Sequence, residues 1–235
     1  SVMSGFEGRR VLVTGTARGA GRATAAAFHD QGASVIGVDI AEQGDVDWST
    51  IQADLSSSDD VARVVSEGGT IDVLVNAHGL LQPMEIEEIT PSDFDRTIAI
   101  NLRSVFFLAQ GFAPAMVKQG WGRIINFSSV VAHTGGVTSA AYAAAKAGVI
   151  TMTKSMARKY APAAVTANSI APAAIDTPLN AFLSPEQRAD IEAAIPLGRF
   201  SQPEEFAAVV LFLAAEEAGY ITGATIDVNG GWVMT

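Results

Sequence analysis

Short apolar runs rich in β-branched residues recur along the chain, and stretches able to form helices separate them. The runs are Val11-Leu12-Val13, Val35 to Val38, Thr50-Ile51-Gln52, Val73-Leu74-Val75, Ile124 to Phe127, Val165 to Ile170 and Thr225 to Val228. Most are continuous rather than alternating, as expected of strands covered on both faces. Strands of that kind alternating with helices predict a doubly wound α/β fold. Its parallel sheet would have about seven strands, with helices on both faces. Thr90-Pro91-Ser92-Asp93 and Ser184-Pro185-Glu186-Gln187 carry helix-start signals, a capping side chain followed by proline at the first helical position. The alanine-dense stretch 139–164 reads as helix. No linker, repeat or low-complexity tract divides residues 1–235, which predicts a single domain.

Composition narrows the function classes. With 49% apolar and 17% charged residues the chain has material for a sizeable core. The formal net charge of −10, with no basic stripe, argues against a nucleic-acid partner. The absence of cysteine excludes disulfides, thiolate catalysis and cysteine metal sites, fits a cytoplasmic protein, and leaves no metal centre expected. The longest strongly apolar run, Phe206 to Ala215, is too short to cross a bilayer, so no membrane partner is expected.

The first strand runs into Thr14-Gly15-Thr16-Ala17-Arg18-Gly19-Ala20-Gly21, and a helical stretch, Arg22 to Phe28, follows. Glycines there permit a sharp turn and let a pyrophosphate approach the free N–H groups of the next helix. The second strand ends at Asp39, about 20 residues on, where a carboxylate can accept hydrogen bonds from adenosine ribose hydroxyls. That charge favours NAD over NADP. Arg18 pulls the other way, since a guanidinium can hold a 2′-phosphate, and it leaves NADP open.

Tyr142 and Lys146 lie four residues apart in an alanine-rich helix and share a face. An ammonium beside a phenol is expected to lower its pKa from about 10 and make it a usable acid/base. Ser129, at the end of the strand Ile124 to Phe127, can hold a substrate carbonyl oxygen. Asn101 interrupts an otherwise apolar helix. It is open to a water or backbone-carbonyl contact, or to a helix kink without chemistry.

On these residues the whole chain resembles the short-chain dehydrogenase/reductase family. The glycine run matches the family's Thr-Gly-x-x-x-Gly-x-Gly. Asp54-Leu55 matches its acidic pair after the third strand. Asn101, Ser129, Tyr142 and Lys146 match its catalytic tetrad in order and spacing. Asn168 to Pro172 and Ile175-Asp176-Thr177 resemble the segment that holds the nicotinamide carboxamide. The resemblance implies a Rossmann-like domain. Its cofactor would be held by Gly15, Arg18, Gly19, Ala20, Gly21, Asp39, Asp54, Leu55, Asn76, Ala77, Gly79, Tyr142, Lys146, Pro172, Ile175 and Thr177. It also implies that Tyr142 takes or gives the substrate proton while hydride passes to or from the nicotinamide. Lys146 would bind the nicotinamide ribose, and Asn101 would place a relay water.

Two positions depart from the family pattern. Asn-Asn-Ala-Gly reads Asn76-Ala77-His78-Gly79, and Pro-Gly reads Pro172-Ala173. His78 is open to a hydrogen bond near the ribose or substrate, with packing favoured. Ala173 would be strained if the position required positive φ.

Substrate candidates are Leu80, Leu81, Gln82, Val131, His133, Thr134, Thr138 and the loop 179–197. Leu81, Ser129, His133 and Tyr142 are the chosen set, with His133 equally open to a plain loop role. Mostly apolar or neutral residues suggest a neutral secondary alcohol or ketone. Some stretches resemble dihydrodiol dehydrogenases acting on 2,3-dihydro-2,3-dihydroxybenzoate, and others 3-oxoacyl-carrier-protein reductases. The capped helix Pro185 to Ala194 is expected to be a lid. The family resemblance implies a homotetramer or dimer through the helices at 102–117 and 147–157. The tail Gly230 to Met234 is open to burial at such an interface or against the chain's own core. A non-catalytic NAD-binding protein is the alternative of another class; it would have no use for Tyr142 and Lys146.

Overall fold

The computed structural model describes residues 5–136, 140–176 and 183–235. The expectations for Thr138, Thr177 and residues 179–182 lie outside the described residues. Seven strands form one parallel sheet in the order β3-β2-β1-β4-β5-β6-β7. They are β1 (Arg10–Thr14), β2 (Ser34–Asp39), β3 (Ser49–Gln52), β4 (Val73–Asn76), β5 (Gly122–Phe127), β6 (Val165–Pro172) and β7 (Thr225–Val228). Every residue of β4, β5 and β6 is buried, so their lack of alternation reflects a sheet covered on both sides.

Side chains leave a strand on alternate faces, and this divides the core in two. Leu12, Leu74 and Ile124 face one layer with Leu108, Phe112 and Met116 of α4 (Ser104–Gln119), Val64 of α2 (Ser58–Gly68) and Met156 of α6 (Ala140–Tyr160). Val11, Val13, Val75 and Ile125 face the other, with Phe28 of α1 (Gly19–Asp30) and Phe206 and Val210 of α8 (Pro203–Ala214). The remaining helices are α3 (Pro91–Ile98), α5 (Val131–Thr134) and α7 (Pro185–Ala194). Thr90 and Ser184 form the capping boxes their spacing predicts. Helix α1 opens at Gly19, three residues earlier than the alanine pattern suggests, because the end of the glycine run is itself helical.

Among the described residues one helical stretch, Pro91–Gln119, is by length and composition alone able to cross a membrane. Here its Val105, Leu108, Ala109, Phe112 and Met116 are buried inside the fold.

Two features of the sheet place the site. Strand order reverses between β1 and β4, so the crevice above their carboxyl ends is open to a ligand. The register also brings a polar row across those ends: Thr14 faces Asn76, Asn76 faces Asn126, Asn126 faces Ser169 and Ser169 faces Thr225. Asn76 Nδ2 donates to Asn126 Oδ1 at 2.9 Å, and Asn126 Nδ2 donates to Thr153 Oγ1 at 2.9 Å. This cross-strand ladder makes a polar floor beneath the crevice.

Phe112 is 1% exposed in the layer shared with Leu108 and Met116. Phe112→Ala is expected to cost about 3–5 kcal/mol in urea unfolding with an unchanged m-value. A loss below about 1 kcal/mol would contradict this packing assignment.

Candidate active site

A cavity of about 430 Å³ opens above the carboxyl ends of the strands. The glycine-rich turn forms one end. Gly15 has φ +78° and Gly19 φ +61°, conformations that side chains strain to adopt. A Cβ on Gly21 would lie 2.1 Å from the Gly15 carbonyl oxygen, so only glycine lets the helix start this close to the strand end. Helix α1 has no side-chain cap, and Arg18, Gly19, Ala20 and Gly21 line the cavity. Its first N–H groups therefore form an anion cradle. Asp39, Asp54 and Leu55 line the same end. The Asp39 carboxylate accepts from Ala17 N and Ala41 N, both at 2.9 Å. An uncapped glycine cradle with a fixed carboxylate at the end of β2 fits a dinucleotide.

The other end gathers the chemistry. Ser129 follows β5, and Tyr142 and Lys146 project from one face of α6. The Tyr142 and Ser129 hydroxyls share a hydrogen bond. Lys146 is 2% exposed; its Nζ donates to the Phe127 carbonyl at 2.8 Å and lies 5.6 Å from the centre of the Tyr142 ring. Burial pulls the ammonium down to about 8. Burial also pushes the phenol up to about 12, opposed by the Ser129 hydrogen bond. The expected lowering of the phenol is therefore not met: desolvation outweighs the Ser129 hydrogen bond, and the ammonium is directed at a backbone carbonyl.

Asn101 sits in a π-helical turn, Ala99–Arg103, between α3 and α4. Its Oδ1 accepts from Leu80 N, and its Nδ2 donates to the carbonyls of Leu80 and Thr97, each at 3.0 Å. The backbone-carbonyl contact that the sequence left open is made, in a helix locally widened to a π turn. Gly79 passes close by. A Cβ there would be 3.1 Å from Asn101 Oδ1 and 3.5 Å from Lys146 Nζ.

His78 packs against this turn and also lines the cavity. Its Nδ1 is 2.6 Å from Thr14 Oγ1; its Nε2 is 2.7 Å from Ser104 Oγ and 3.0 Å from the Ile100 carbonyl. A carbonyl can only accept, so Nε2 carries the proton and Nδ1 accepts from Thr14. Burial and the Lys146 charge hold the imidazole at about 3, so it is neutral.

Other candidates fall into place less uniformly. Ala77, Gly79, Leu80, Leu81, Val131, Pro172 and Ile175 line the cavity. Asn76 does not: it is 1% exposed and belongs to the floor. His133 also lies off the lining, with Nε2 3.6 Å from Asp227 Oδ1. Among the described residues only Ala164 is a non-glycine at positive φ, so Ala173 is unstrained. Leu183 and Ile191 bring the capped helix α7 to the cavity, and Trp232 brings the carboxyl-terminal tail. Trp232 thus faces a site rather than the core interior. Arg96 of α3 also lines the cavity and escaped the sequence reading. Its only signal is its place one helical turn before Ile100, another lining residue.

Comparison with known proteins agrees with this geometry. Residues 15–233 match the family model described as enoyl-(acyl carrier protein) reductase. The chain is 40% identical over 244 residues to the 3-oxoacyl-acyl-carrier-protein reductase FabG of Thermotoga maritima, covering 97% of this chain and 99% of that one. It is 39% identical over 241 residues to the FabG of Escherichia coli K12, with the same coverage. Among solved structures it superposes with a TM-score of 0.93 and 32% identity on a protein from Beutenbergia cavernae. That protein is described as an NAD(P)-dependent gluconate 5-dehydrogenase with bound NADP at low occupancy, and the match covers 97% of this chain and 98% of that one. The ligand-free aldohexose dehydrogenase of Thermoplasma acidophilum gives a TM-score of 0.90 at 32% identity, covering 99% of both chains. Motifs, sheet topology, cavity and full-length similarity converge on one conclusion: the chain belongs to the short-chain dehydrogenase/reductase family of NAD(P)-dependent oxidoreductases.

Proposed function

We propose that this oxidoreductase interconverts a secondary alcohol and a ketone, with NAD as its preferred cofactor and Tyr142 as the group that exchanges the proton. The hydrogen bond between Tyr142 and Ser129 beside the buried Lys146 carries this reading. A bound nicotinamide supplies the hydride donor or acceptor. Tyr142 Oη gives its proton to the substrate oxygen in reduction and takes it back in oxidation. Ser129 Oγ donates to the same oxygen and holds it against Oη. The Lys146 ammonium favours the phenolate that remains after the proton has left. With the phenol at about 12, the resting site is in the protonation state that reduction requires. Asn101 fixes the turn at Leu80 and so shapes the wall facing Tyr142.

Leu80, Leu81, Val131, Leu183, Ile191 and Trp232 give the cavity an apolar wall, which supports a substrate that is neutral near its reacting carbon. A cyclic diol fits that description. Full-length identity of 39–40% to two 3-oxoacyl-acyl-carrier-protein reductases favours a second reading, in which the ketone belongs to a 3-oxoacyl thioester. The Asp39 charge at the cavity supports NAD, with the exposed Arg18 as the opposing influence. A homodimer or homotetramer is part of the proposal, supported by the exposed Phe106 and Phe107 on α4.

Secondary alcohols, cyclic diols, ketones and a 3-oxoacyl thioester, each followed at the nicotinamide absorbance with NAD(H) and NADP(H), test the substrate class. Turnover of none of them would overturn it. Tyr142→Phe is expected to lower kcat by about 10²–10⁴-fold. Retained turnover would refute the role of Tyr142.

The pH profile follows from Lys146, whose ammonium is complete below its folded pKa and lost above it. The kcat/KM for ketone reduction is expected to fall as pH rises through about 8. A profile flat to pH about 10 would contradict the assignment.

A further inference from the structure

The loop between β2 and β3 contains a side chain that neither the motif pattern nor the chemistry accounts for. Gln43 is 6% exposed. A buried amide is costly unless both its ends are bonded, and both are. Its Oε1 accepts from Thr16 Oγ1 at 2.7 Å, and its Nε2 donates to the Gly37 carbonyl at 3.0 Å. Arg22 of α1 donates from Nη1 to the Gln43 carbonyl at 2.9 Å. The slot for the amide exists because position 37, in mid-strand, is glycine. A Cβ there would lie 2.6 Å from Gln43 Oε1, 2.7 Å from Thr16 Oγ1 and 2.8 Å from Trp48 Nε1.

The neighbours of this amide give it a consequence. The two backbone donors to the Asp39 carboxylate are Ala17 N, on Oδ2, and Ala41 N, on Oδ1. Gln43 bonds Thr16, next to Ala17, and lies two residues past Ala41. One buried side chain thus ties down the chain on both sides of the carboxylate. With each oxygen held by an N–H on an anchored segment, the carboxylate is hindered from swinging aside, and its charge remains where a second anion is disfavoured. Arg22 is engaged by the same loop through the Gln43 carbonyl.

We propose that Gln43 is a positioning residue that locks Asp39 in place and thereby sets the discrimination between NAD and NADP. This rests on the reading of Asp39 given under the proposed function. Gln43→Met keeps the length and bulk of the side chain and removes both hydrogen bonds. Thr16→Val removes one partner and leaves Gln43 in place.

The test is calorimetric titration of the full chain with NAD and NADP separately, alongside Asp39→Asn and a thermal melt of each variant. Gln43→Met is expected to weaken NAD binding by about tenfold and to leave NADP within about twofold, so that the ratio of the two Kd values shifts by about tenfold. Thr16→Val is expected to shift it in the same direction, and it carries the test if Gln43→Met fails to fold. Equal weakening of both cofactors, or no change in either, would make Gln43 a plain fold anchor and overturn the proposal. A ratio that collapses in Asp39→Asn but not in Gln43→Met or Thr16→Val removes the role of Gln43 and leaves Asp39 standing. A ratio unchanged in Asp39→Asn removes both.

Discussion

A lysine ammonium held at 2% exposure is the constraint around which this site is built. Burying a charge costs several kcal/mol unless polar groups replace its water. Lys146 Nζ has the Phe127 carbonyl at 2.8 Å, and Ser128 Oγ donates back to the Lys146 carbonyl at 2.8 Å. These bonds run in opposite directions between the end of β5 and helix α6. They staple the strand end that leads into Ser129 to the helix carrying Tyr142. The meeting of the two hydroxyls is therefore a consequence of how the lysine is housed.

The second end of the cavity obeys a different constraint, the close approach of backbone to backbone. Gly15 and Gly21 allow β1 to turn into α1 with its first N–H groups uncapped, and the reversal of strand order beside β1 leaves room above them. His78 couples the two ends. It accepts from Thr14, at the foot of the glycine turn, and reaches the Ile100 carbonyl in the π-helical turn that holds Asn101. A neutral imidazole suits that place, since an imidazolium would face the Lys146 charge.

Much of this was legible in the sequence because it depends on local pattern. Short β-branched runs marked the seven strands, most plainly β1, β2 and β4, where burial on both faces favours an unbroken apolar run, and least plainly the exposed edge strand β3. The spacing of Tyr142 and Lys146 placed both on one helix face, and Ser129 fell at a strand end. What escaped depends on distant parts of the chain. Trp232 and Arg96 reach the cavity from the tail and from α3, and no periodicity announces that. Asn76, which the family motif assigned to the cofactor, belongs to the sheet floor, and His133, a substrate candidate, faces Asp227. The phenol is raised rather than lowered, because sequence spacing reports the nearby ammonium and not the burial that desolvates the phenol. Gln43 gave one faint sign, a glycine in the middle of β2.

The most direct measurement of the central claim follows isotope rather than rate alone. NADH deuterated at nicotinamide C4 is mixed with a ketone that the enzyme accepts, and the alcohol is analysed for deuterium at the carbinol carbon. The comparison is Lys146→Met, which keeps the stem and loses the charge. The account predicts deuterium at the carbinol carbon with the native chain and transfer slower by about 10²-fold or more with Lys146→Met. Transfer at the native rate in that variant would contradict it.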